Sequence, residues 1–97
     1  MRKLVIQPEA QSEYEDGISE FKKIKKELAR RFAKEVKKSL KLLRKMPKIH
    51  GIVVRDIRRA VVRGFPYVIL YRVTDTEVIV LAIFHTRRDP SDWQSRI

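Results

Sequence analysis

Tyr67-Val68-Ile69-Leu70-Tyr71-Arg72-Val73, then Thr74-Asp75-Thr76-Glu77, then Val78-Ile79-Val80-Leu81-Ala82-Ile83-Phe84 decide the fold of this chain. Both flanking runs are rich in β-branched and aromatic residues, and the four polar residues between them suit a short antiparallel connection. In each run both alternating sets of side chains are apolar, so both faces of these two strands want cover. Upstream, Val53 to Val62 reads as one further strand, joined to Tyr67 through a turn at Gly64-Phe65-Pro66. The three runs form an antiparallel meander.

The first half has a different period. Lys3-Leu4-Val5-Ile6 is a short strand stopped by Pro8, which is well placed in the first turn of a helix. Ala10, Tyr14, Ile18 and Phe21 then recur at helical spacing, and Gly17 either weakens that helix or lets a neighbour come close. A second, longer stripe runs through Ile24, Leu28, Phe32, Val36, Leu40, Leu43 and Met46 until Pro47 stops it. The expected class is α+β: a short strand, a two-helix hairpin and the three-stranded meander, in the order β-α-α-β-β-β. Two helices cover one sheet face, so part of the other is expected to be exposed unless a protein partner docks there.

At 97 residues a single domain, residues 1–97, is expected. Lys and Arg number 23 against 12 Asp and Glu, a formal charge of +11 that favours a polyanionic or acidic partner. No cysteine is present, which removes disulfides and thiolate metal sites and fits a reducing cytoplasm. His50 and His85 lie far apart in sequence, so no metal site is expected, and the three glycines form no phosphate loop. No apolar run approaches the roughly 20 residues that span a bilayer, and the first residues lack a signal-peptide core, so a cytoplasmic protein without membrane contact is expected.

Chemistry concentrates in a cationic set: Arg55, Arg58, Arg59 and Arg63 around the second strand, Arg72 on the third, and His85, Arg87 and Arg88 leaving the fourth. A meander brings such residues toward one another, and guanidinium forks suit phosphate. The plainer reading pairs Arg59 and Arg72 with Asp56, Asp75 or Glu77 across strands. His85 has the residue type to shuttle a proton at neutral pH, or it is a structural cap held by Asp89. Trp93 reads as a lid on the sheet or on the first helix.

The series Arg59, Phe65-Pro66-Tyr67, Tyr71-Arg72-Val73, His85-Thr86-Arg87-Arg88-Asp89-Pro90 and Trp93 resembles the RelE/ParE superfamily of toxins from type II toxin–antitoxin modules, and most of all its ParE branch. The resemblance covers essentially the whole chain. It implies an acidic antitoxin that wraps the toxin in a hetero-oligomer, and it implies no cofactor. A ParE-like member inhibits DNA gyrase, with Arg58, Arg63, Arg88, Asp89 and Trp93 as target-binding residues. A RelE-like member cleaves messenger RNA on the ribosome without a metal; His85, Arg59, Arg72 and Arg87 would then be the catalytic set. The lack of a tyrosine after the fourth strand departs from the RelE pattern. On charge alone, a basic nucleic-acid-binding module is a further alternative.

Overall fold

Pro8 fixes a helical φ and lacks the amide hydrogen that a first turn leaves unpaired, so α1 (Pro8–Ile24) begins directly behind β1 (Lys3–Ile6). The computed structural model describes residues 1–96. Lys25 alone, in an extended conformation, separates α1 from α2 (Lys26–Lys45), and its amide closes α1 on the Phe21 carbonyl. The helical hairpin is thus tighter than the sequence suggests. Ile24 ends α1 at 73% exposure rather than opening the second stripe, and Met46 at the far end is also exposed. Between them Phe32, Val36 and Leu43 are fully buried.

The sheet has five strands in the order β1-β5-β4-β3-β2. Its centre is the expected hairpin of β4 (Tyr67–Val73) and β5 (Glu77–His85), with Thr74 Oγ1 accepting the Glu77 amide in the turn. Two features correct the three-stranded meander. First, the run taken as one strand from Val53 to Val62 folds back on itself as β2 (Ile52–Val54) and β3 (Ile57–Val61). Two-residue hairpin turns usually advertise themselves as Asn-Gly; here Arg55-Asp56 makes the turn, with Arg55 at φ 51°. Second, β1 adds to the sheet by parallel pairing with β5, from Lys3 opposite Glu77 to Ile6 opposite Val80. That pairing joins chain segments more than 70 residues apart, and no local pattern encodes it.

One core lies between the helices and the sheet. Its centre is aromatic: Phe32 packs on Tyr67 at 4.7 Å between ring centroids, on Phe21 at 5.0 Å and on Phe65 at 5.2 Å. Tyr71 sits at the other end of this face, where its hydroxyl donates to the Pro47 carbonyl at 2.8 Å and ties the chain leaving α2 to the sheet. On the second face Ile57, Val68, Leu70, Leu81, Ala82 and Phe84 are buried, with Val54, Ile79 and Trp93 packed against them, whereas Val61, which shares that face with Ile57 and Val68, is exposed, so the face is open only at its β3 end. Ile49, Ile52 and Val53, at the β2–β3 edge, are exposed as well.

Gly17 faces Phe32 across the helix pair. A Cβ there would stand 2.9 Å from Phe32 Cε2 and 3.3 Å from the Tyr67 hydroxyl oxygen, and the fully buried Phe32 ring has nowhere to retreat. A Gly→Ala change inside a helix ordinarily stabilises by up to about 1 kcal/mol, but overpacking a core costs about 1–3 kcal/mol. Gly17→Ala is therefore expected to lower Tm, by about 5 °C for a net loss near 1 kcal/mol. A thermal melt monitored by circular dichroism gives the sign; a raised Tm would contradict this packing.

Candidate functional site

β1 covers only the first half of β5. Its pairing stops at Val80, whose carbonyl accepts the Gln7 amide as the chain turns into α1. Beyond that point the β1-side edge of β5 has no strand beside it. Glu13, one turn into α1, takes the missing place: its Oε1 accepts the Ile83 amide at 3.1 Å. Arg96 completes the substitution by donating to the Leu81 carbonyl at 3.0 Å while holding both Glu13 oxygens at 3.0 Å. Arg88 adds a third contact, 3.2 Å to Glu13 Oε2, and bonds Asp92 at 3.2 Å. The hydrogen bond to Glu13 raises the Arg96 pKa further above its ordinary value. Glu13 is the one buried charged side chain among the described residues, and these partners satisfy it.

A bulge in β5 sits at the same place. Leu70 pairs with Ala82 and Tyr71 with Val80, so Leu81 is an extra residue. The bulge lets Val80 and Ile83 both face the helices while Leu81, Ala82 and Phe84 face the other side. After β5 the chain turns at Thr86, whose amide donates to the Pro66 carbonyl, and returns through a single helical turn, α3 (Ser91–Gln94). Asp89 caps that turn by accepting the Ser91 amide at 3.0 Å, the bond that lowers its own pKa. Trp93 then lies 6.1 Å from Phe84, on the face away from the helices.

The register sorts the sequence-derived candidates onto two faces. His85 pairs with Tyr67 and faces the helices, its ring 5.3 Å from the Tyr67 ring and its Nδ1 accepting the Arg87 amide at 3.0 Å. It lines a cleft of about 150 Å³ with Glu13, Asp16, Glu20, Tyr67 and Arg88. Arg59 pairs with Leu70 and Arg72 with Ile79, which puts both on the opposite face, and Arg72 is bound to Asp56 at 2.9 Å. The structure therefore does not bring His85, Arg59 and Arg72 together. Arg58, back on the helix side, donates to the His50 carbonyl at 2.7 Å and holds the connection after α2. Arg63 and Arg87 have no side-chain partner among the described residues, and both sit at the end of the sheet formed by the β3–β4 turn and the exit of β5.

The sequence reading passed over Glu13 and Arg96. Glu13 stood in an acidic run that looked solvated, and Arg96 followed the recognisable motif. The available signal was a carboxylate next to the apolar stripe position Tyr14, with unpaired arginines downstream.

Replacing Glu13 by Ala strands the Ile83 amide and leaves two guanidinium groups facing each other. The expected loss is about 2–3 kcal/mol, discounted for the exposed Arg88, or roughly 10–20 °C in Tm. Glu13→Gln keeps an acceptor for Ile83 and should cost less. Hydrogen exchange at the Ile83 amide should accelerate most in the Ala variant; unchanged exchange would count against the carboxylate as edge cover. A second expectation concerns alkaline pH. Burial raises the pKa of Tyr14, Tyr67 and Tyr71 above the ordinary value of 10.0, and for Tyr67 the nearby Glu20 adds to the rise. With the folded value above the unfolded one, this contribution is fully present below pH 10 and is lost as pH rises through the folded values. Urea unfolding at pH 8 and pH 10.5 should show a smaller alkaline loss for Tyr67→Phe than for the parent chain.

Comparison with known proteins agrees with this geometry. None of the curated proteins matches the chain significantly. A solved structure described as the chromosomal ParDE toxin–antitoxin system from P. aeruginosa superposes with a TM-score of 0.78, over 88% of this chain and 96% of that one. The two are 17% identical, so the likeness is one of fold. The model for the ParE toxin of type II toxin–antitoxin systems, parDE, matches residues 5–90, from within β1 through both helices and past the end of β5, and the chain belongs to that family.

Proposed function

We propose that this ParE-type toxin acts in the cytoplasm on DNA gyrase and is held inactive by an acidic antitoxin laid against its helix pair and sheet. The observation that carries the choice of target is the separation of the nuclease candidates: a proton shuttle at His85 has no Arg59 or Arg72 on its side of the sheet. Metal-free cleavage of RNA needs its base and its charge stabilisers around one phosphate, within hydrogen-bond reach. The net charge of +11 and the exposed Ile52, Val53 and Val61 support an acidic partner with apolar anchors.

Of the target-binding set Arg63 is the contact to gyrase, and Arg87, which the sequence reading placed only in the RelE-like set, joins it because it too has no side-chain partner among the described residues. Arg58, Arg88, Asp89 and Trp93 hold the surface that presents them, because each is already committed to an internal partner. Removing the whole tail from Arg87 onward is for that reason not a clean test: it takes away Arg88 and Arg96 from Glu13 and exposes the β5 edge, while Ile97 lies outside the described residues.

Inducible expression in bacteria, with plasmid supercoiling and messenger integrity measured together, tests the reading. Growth arrest should coincide with a block in supercoiling while messenger stays intact, and co-expression of the antitoxin should restore growth. The double variant Arg63→Ala, Arg87→Ala should lose toxicity with Tm changed by less than about 3 °C, since exposed substitutions move stability by about 0.5 kcal/mol or less. Cleaved messenger with normal supercoiling would sink the gyrase assignment in favour of ribosome-dependent RNA cleavage.

A further inference from the structure

The charge of this protein is not spread evenly. α2 carries nine cations and two carboxylates, a net of +7, whereas α1 carries five carboxylates and two lysines. On α2, Arg30, Lys34, Lys37 and Lys41 follow one another at spacings of three and four residues and, with Lys38 and Ala33, line one shallow surface groove. All five are exposed, and among the described residues the only carboxylate paired with any of them is Glu35, 3.4 Å from Lys38. Like charges at these spacings repel and cost the helix a few tenths of a kcal/mol per pair. The sequence keeps them on a face that packing does not use, since α2 buries Ala29, Phe32, Val36 and Leu43 on its other side.

We infer that this stripe of α2 is a docking surface for the phosphate backbone of duplex DNA. The stripe spans about 17 Å from Arg30 to Lys41 at 1.5 Å per residue, which lets a rigid helix lie along several phosphates of a rigid duplex. A protein partner seated on apolar anchors fits this stripe poorly, which leaves the antitoxin the sheet edge at Ile52, Val53 and Val61 and the rest of the helix pair. Protein interfaces are built around apolar and aromatic anchors and are depleted in lysine, and this groove offers no apolar side chain larger than Ala33. A single strand fits poorly too, because such sites combine a basic groove with aromatic stacking platforms, and none lines this one. The lysines bring point charges with no base-reading geometry, so the contact is independent of sequence and strongly dependent on salt. It is separate from Arg63 and Arg87 and stands whether or not gyrase is the target.

The test is fluorescence anisotropy of a labelled 24-base-pair DNA duplex with the full chain between 50 and 300 mM salt. Two triple variants are compared: Lys34, Lys37 and Lys41 to Gln, and a charge-matched control with Lys3, Lys23 and Lys48 to Gln. The stripe variant should weaken binding at 50 mM salt by more than about 30-fold and make the log–log salt slope shallower by about 3, at roughly one per lost phosphate contact. The control should change affinity less than about 5-fold. The stripe lysines touch nothing in the core, so circular dichroism and Tm should stay at or above the parent values. Equal loss in both variants would show that only total charge matters and would overturn the assignment. Tighter binding to duplex RNA than to DNA, or binding to anionic phospholipid vesicles without binding to DNA, would overturn it as well.

Discussion

The carboxylate of Glu13 does the work of a missing strand. β5 is the longest strand and the hub of the sheet, but β1 pairs with it only as far as Val80 before the chain leaves to begin α1. An unpaired amide at Ile83 and a lone carbonyl at Leu81 would cost the fold about as much as a lost hydrogen bond each, and they would leave an edge open to other strands. Glu13 supplies an acceptor and Arg96 a donor, and their mutual ion pair holds each in place for the other. Because Arg96 is the last described residue, this contact also decides the course of the tail after β5. The turn at Asp89, the single turn α3 and Trp93 on Phe84 all lie between two fixed points, Thr86 on Pro66 and Arg96 on Glu13.

The distribution of cations inherits that arrangement. With Arg88 and Arg96 drawn inward to Glu13, the cations left at this end of the sheet are the ones without internal partners, Arg63 and Arg87. The same strand register sends His85 to the helix side and Arg59 and Arg72 to the other, where Arg72 meets Asp56. The plainer of the two readings of Arg72, a cross-strand ion pair, is the one the fold adopts. A sheet is a filter of this kind: alternate side chains part company, and no rotamer change carries a side chain through the backbone.

The helix pair separates charge as the sheet separates faces. α1 places Glu13, Asp16 and Glu20 along the cleft beside His85 and Tyr67, whereas α2 lines its own groove with Arg30 and four lysines. The close approach that makes the hairpin possible depends on Gly17, whose missing side chain leaves room for the Phe32 ring.

The sequence by itself determined what short-range periodicity can encode. Pro8 and Pro47 bounded the helices, the stripe through Phe32, Val36 and Leu43 named their buried face, and the β-branched runs of β4 and β5 named the central hairpin. The family resemblance was also legible, because its motifs are local. The tertiary structure alone decided four things: the Arg55-Asp56 turn that splits one apparent strand into two, the parallel seat of β1, the bulge at Leu81 and the Glu13–Arg96 pair. The first is a backbone conformation that an arginine adopts here without the usual Asn-Gly signature. The bulge is one extra residue within a local hairpin, while the seat of β1 and the Glu13–Arg96 pair join residues far apart in the chain, and a pairing of that range is chosen by the total burial and hydrogen bonding it completes, which no window of sequence contains.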